Sequence, residues 1–252
     1  MGTSTGYNMP KGGDWTPLKN DATSFAKHGG RGSINPKNLL GRYLQANGGA
    51  QAIAQGRGGS SGHSESRYHI GSSARSAGAK LGRFLSNVAT QGLDTTLQED
   101  GLGHLIGKSA TEICAGLLDI LADSVSTLDD HATRRALSNV FDDLFKPDTP
   151  YEDIEQALNQ SLDEKGMMLI MVDFFGYYLY ELFCRDFYED WQKKVGVDQT
   201  KRSLRQVKDC IFAEVESELA SKTIDSIDWS GLAGLSLAER IMQDTLEIFE
   251  VI

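Results

Sequence analysis

The sequence has no apolar run as long as a membrane span, no basic-then-apolar leader and few cysteines. Its most apolar stretch, MMLIMVDFFGYYLYELF (167–183), carries Asp173 and Glu181 and is short for a bilayer, so it reads as a buried central helix. The N-terminus lacks the charged and apolar regions of a secretory signal. Cys114, Cys184 and Cys210 are odd in number, far apart and set among apolar-periodic residues. That usage excludes a disulfide scaffold and fits thiols packed as small hydrophobes in a reducing compartment, with the cytoplasm as the expected location.

Catalytic signatures are also scarce. GLGHLIGKSA (101–110) contains Gly107-Lys108-Ser109, but a phosphate loop needs glycine at position 102, which is Leu102, and an apolar strand before it. A helix start is the expected reading. His28, His63, His69, His104 and His131 are scattered, and no Cys/His pair has zinc-site spacing. Asp129-Asp130 and Asp142-Asp143 are adjacent carboxylates that diverge on a helix, so solvated faces are expected there. Asp173 lies amid apolar residues and is expected to be buried, with a raised pKa, against a neighbouring helix. No nucleophile–base constellation appears, so the chain reads as a non-enzyme with no cofactor and no metal.

What is present is a division into two materials. Residues 1–92 hold eleven Lys/Arg and three Asp/Glu, a charge of +8, while residues 93–252 hold fourteen and thirty-two, a charge of −18. Glycine divides the same way, with 21 of 27 in residues 1–107. The sequence therefore predicts a flexible tail over 1–15, a basic Gly/Ser-rich arm with short helices over 16–92, and an acidic all-α bundle over 93–252. A cationic arm can meet nucleic acid, an acidic partner or its own acidic body. Direct nucleic-acid binding is disfavoured, because aromatic interleaving in the arm is limited to Tyr43 and Tyr68 and the body repels phosphates.

Helix punctuation recurs along the arm. Thr16-Pro17 with Gly29, and Asn35-Pro36 with Gly48, each frame a cap–Pro–helix–Gly unit of about three turns. Residues 56–66 read as a mobile loop, followed from Ser72 by a helix whose Ala74, Gly78 and Gly82 permit close packing. In the body, helices are expected over about 129–145, Tyr151–Leu162, Lys165–Val195, 198–221 and 236–250. Strand alternation is scarce and no βαβ rhythm is found.

The start, MGTSTG, raises its own question. Small residues after Met1 favour removal of that methionine and exposure of Gly2. A myristoylation site needs Ser or Thr at the sixth position, which is Gly6, and second membrane signals are missing nearby. An α-amine has a pKa near 7.7–8.0 against about 10.4 for lysine, so its uncharged fraction at neutral pH is on the order of a hundred-fold larger. An activated carboxylate would select it over the lysines. From the residues alone an ordinary processed start remains the more economical account.

MGTS, RYLQANGGAQAIAQGRGG (42–59) and SSARSAGAKLGRFLSNVATQGLDTTLQ (72–98), followed by an acidic helical body, together resemble the QatB family of the bacterial Qat anti-phage defence system. The resemblance implies partners: an ATPase, QatA; a QueC-like enzyme, QatC; and a TatD-like nuclease, QatD. QueC-like enzymes adenylate a 7-deazaguanine carboxylate, and in related defence systems join that base to a partner's N-terminal glycine. Carried onto this chain, Gly2 would be the acceptor, with Thr3, Ser4, Thr5 and Gly6 the tail read by the enzyme. The alternative is a scaffold that assembles the ATPase and nuclease without being modified.

Overall fold

The computed structural model describes residues 9–10, 13–30, 32, 34–59, 69–122, 127–219, 229 and 231–250. Among these the protein is all-α. The helices are α1 (Trp15–Lys27), α2 (Pro36–Ala46), α3 (Ala50–Ala54), α4 (Ser72–Gln91), α5 (Leu93–Glu99), α6 (Ala110–Leu121), α7 (Leu128–Leu144), α8 (Tyr151–Val195), α9 (Val197–Leu219) and α10 (Gly231–Glu247), with a 3₁₀ turn at Gly103–Leu105. Among the described residues, β pairing is confined to one antiparallel bridge, Gly58–Ile70.

Local chemistry explains most boundaries. The Asn35 side chain accepts from Lys37 N at 2.9 Å and Pro36 opens α2, as the punctuation predicts. For α1 the boundary differs: Asp14 occupies the N-cap, so Thr16 and Pro17 already lie within the helix. Capping boxes open α6, through Ser109 and Glu112, and α7, through Thr127 and Asp130. The expected break between Leu162 and Lys165 appears as a sharp change of direction at Gly166, whose φ of 75° is open to glycine and strained for other residues.

Beyond that kink, Lys165–Val195 is 31 residues long, which by length and apolar composition would suffice to cross a membrane. Its most apolar window is 72% buried inside the protein, so those side chains are spent on the core, as expected of a central helix. α7 and α9 pack along it, and α4, α10 and α1 complete its surroundings.

The basic arm is folded into the same core. Trp15, Leu18 and Phe25 of α1, Leu39, Leu40 and Tyr43 of α2, and Phe84 and Leu85 of α4 are buried in one cluster with α8. Tyr43 meets Phe183 edge-on at 5.3 Å and Trp15 at 6.0 Å, while Phe25 reaches Trp191 at 6.0 Å. The small residues of α4 allow close approach: a Cβ at Gly78 would lie 2.8 Å from Phe175 Cζ, and one at Gly82 would lie 2.2 Å from Trp229 Cε3. Cations of the arm meet carboxylates of the body in Lys37–Glu214 at 2.6 Å, Arg75–Glu239 at 2.8 Å and Arg83–Asp100 at 3.2 Å. Of the arm's possible targets, its own acidic body is thus contacted directly.

Candidate functional site

Gly2, Thr3, Ser4, Thr5 and Gly6 lie outside the described residues. The described chain begins nearby, at Met9, which packs against the core, and Pro10, whose carbonyl accepts from Lys19 Nζ at 2.5 Å. Trp15 then fixes the start of α1. It is 3% exposed, and its Nε1–H donates to Ala46 O at 2.9 Å. The tail is therefore attached to a held point on the bundle surface.

The acidic candidates divide. Asp142 and Asp143 are exposed, as expected, with Asp143 accepting from Tyr177 Oη at 2.6 Å. Asp129 and Asp130 are buried, contrary to the expected solvated face. The reason is the turn that opens α4. Gly71, at φ 102°, turns its N–H and that of Ser73 toward α7, and Asp129 accepts both, at 3.1 and 3.0 Å. Tyr178 Oη of α8 donates to the same carboxylate. Burial, then the Asp129 charge, pushes the Tyr178 hydroxyl well above its ordinary range and keeps it a donor. Asp130 takes the Ser73 hydroxyl at 2.5 Å and caps its own helix through Thr127 N at 2.7 Å. These carboxylates are joints of the fold.

Asp173 is half-buried, and burial raises its pKa, as expected. Its partner, however, is Lys165 Nζ at 3.2 Å, which the Gly166 kink brings back along the same element in place of a neighbouring helix. Ser109 of the Gly-Lys-Ser triplet is a helix cap, as the missing glycine at 102 predicts. His28 Nδ1 pairs with Ser24 O, while His69, His104 and His131 are exposed and His63 lies outside the described residues. Among the described residues no three His, Cys, Asp or Glu side chains cluster as a metal site. Burial pushes the Cys184 thiol up to about 12 and the Cys114 and Cys210 thiols to about 11, which suits inert packed sulfur.

A feature that the sequence reading missed is a groove of about 770 Å³ between α7 and α9, floored by α8. Lys201, Arg205 and Lys208 line one wall at helical spacing, His131 and Arg135 the other, and Tyr180, Cys184 and Tyr188 face it from the floor. Its signal was the run KRSLRQVK (201–208), four of the body's fourteen Lys/Arg in eight residues with no Asp or Glu. The whole-body charge of −18 conceals it.

The family model described as "Qat anti-phage system associated protein QatB" matches residues 58–249 of the chain. No curated protein and no solved structure matches it.

Proposed function

Because the chain belongs to the QatB family of Qat anti-phage system proteins, we infer that it is a non-catalytic member whose Gly2 is presented to, and conjugated by, the QueC-like enzyme QatC. Its role in Qat anti-phage defence follows from the family, and so does its having partners within that system. The matched segment begins at residue 58, so the reading of Gly2 rests on the resemblance of the N-terminal stretch and on the chemistry of its amine.

The observation that carries it is the fixing of the chain at Met9, Pro10 and Trp15. From Pro10 back to Gly2 is eight residues, a reach of at most about 29 Å at full extension. That length can carry the α-amine past the rim of a partner's cleft while α1 stays docked. Gly2 adds no side chain to obstruct entry, and Thr3, Ser4, Thr5 and Gly6 are also small. In the reaction the amine lone pair attacks an adenylated 7-deazaguanine carboxylate. The C–N amide bond forms, the C–O bond to the adenylate breaks, AMP leaves with that electron pair, and the amine proton passes to solvent.

Intact mass of the protein co-expressed with QatC tests this reading. The expected result is an adduct on a chain beginning at Gly2, abolished by Gly2→Pro, which offers a hindered secondary amine. An unmodified terminus under conditions where defence operates would refute conjugation and favour the scaffold role. An adduct retained on Gly2→Pro would move the site elsewhere.

A further inference from the structure

The α7–α9 groove has the ingredients of a site independent of the N-terminal tail. Its two acidic side chains are already engaged. Glu181 pairs with Arg135 Nε at 2.8 Å and accepts from Asn139 Nδ2 at 3.2 Å, while Glu189 faces Lys193 at 3.7 Å. Arg185 is tied to Asp186 through two bonds, at 2.9 and 2.8 Å. The α9 wall is different. Among the described residues no carboxylate pairs with Lys201 or Arg205, although Asp198 and Asp209 lie three and four positions away on the same helix. Lys208 Nζ sits over aromatic rings, 4.8 Å from the Tyr177 centroid and 5.8 Å from that of Tyr180. Three positive charges are thus left along one wall of an otherwise acidic body.

The floor supplies the second ingredient. Tyr188 is 36% exposed and Tyr180 is half-buried, so ring surface is open beside the cations. A groove of about 770 Å³ falls in the range of small-molecule sites. Cations spaced one helical turn apart suit a pair of linked phosphates, and tyrosine faces suit a planar ring.

We propose that the groove between α7 and α9 binds a phosphorylated small molecule bearing an aromatic ring, with Lys201 and Arg205 on its phosphates and Tyr180 and Tyr188 against its ring. Lys208 adds charge from the same wall, 5.8 Å from the Tyr180 ring centroid.

Calorimetric titration of the full chain with ADP and with pyrophosphate tests this. ADP is expected to bind, and to bind more tightly than pyrophosphate. The double variant Lys201→Ala/Arg205→Ala should weaken ADP by about a hundred-fold, as expected for two charge-assisted contacts, while Lys108→Ala, at an exposed residue that does not line the groove, leaves it unchanged. Tyr188→Ala should erase the preference for ADP over pyrophosphate. Lys201, Arg205 and Tyr188 are exposed, so these variants should fold. Absence of ADP binding overturns the proposal, as does equal loss in Lys108→Ala, which would reveal a non-specific charge effect. Pyrophosphate binding as well as ADP would remove the ring from the site. Tighter binding of a hexaglutamate peptide would make the groove a dock for an acidic protein segment. Affinity rising with the length of a single-stranded oligonucleotide would make it a nucleic-acid surface.

Discussion

The arm and the body are opposites in composition, +8 against −18 and glycine-rich against glycine-poor, yet they share one core. Each of two seams between them is closed by a buried carboxylate of the body. At the α2 seam, Tyr43 Oη donates to Asp186 Oδ2 at 2.5 Å, and Arg185 grips the same carboxylate. At the α4 seam, Asp129 is held by two backbone N–H groups and the Tyr178 hydroxyl. The first is a charge pair with a neutral donor added; the second, among the described residues, is a charge solvated by neutral donors alone. The arm's composition therefore reflects tight turns and close packing against the body, and its charge complements the surface that it covers.

Exchanging each carboxylate for its amide separates the two seams. Asp186→Asn strips the compensating charge from Arg185, whose side chain is 10% exposed, and aims an amide N–H₂ at donors. Removing one partner of a buried pair costs about 3–5 kcal/mol, so this variant should show the largest loss of unfolding free energy in denaturant titration. Asp129→Asn keeps an oxygen that can still accept from Gly71 N and Tyr178, and loses only the bond to Ser73 N. The expected cost is about 1–3 kcal/mol, that of one buried donor left unsatisfied. If the Asp129 variant proves the more damaging, the distinction between the seams fails, and Asp129 carries more of the fold than its neutral donors imply.

Helix identity was readable because it depends on near neighbours. Asn35-Pro36, Ser109 with Glu112, and the apolar spacing of 167–183 each act within a few residues. Asp129 and Asp130 were misread for the opposite reason. Their partners, Gly71, Ser73 and Tyr178, lie between 49 and 58 positions away, and no local pattern announces them. The groove stood between these cases. KRSLRQVK was visible, but only the packing of α7 against α8 shows which face of α9 is left open beside tyrosines. The reading of Gly2 came from its chemistry and from resemblance, and Met9 and Pro10 are the described residues nearest to it.

Tyr43→Phe asks how much the neutral donor adds at the charged seam. The ring contacts with Phe183 and Trp15 remain and Arg185 still satisfies Asp186, so the hydrogen bond to Asp186 is the one removed among the described residues. A loss of about 1.5 kcal/mol in the same titration is expected, the low end for a hydrogen bond to a charged group, because Arg185 keeps the carboxylate paired. A loss near that of Asp186→Asn would show that Tyr43, rather than Arg185, is the principal partner of the carboxylate.

The smallest effect belongs to the surface contact between the same two regions. Lys37 of α2 and Glu214 of α9 are each about a third exposed and lie 2.6 Å apart. The hydrogen bond to Glu214 raises the Lys37 pKa, so its contribution is complete below the ordinary lysine value and is lost only as pH rises through the raised one. Across neutral pH it should be constant. Lys37→Ala is expected to cost no more than about 1 kcal/mol, and less in high salt, because such pairs are screened. A larger, salt-insensitive loss would mean that α2 is held to α9 by charge, and the attraction between a basic arm and an acidic body would then rank with the buried seams as a cause of docking.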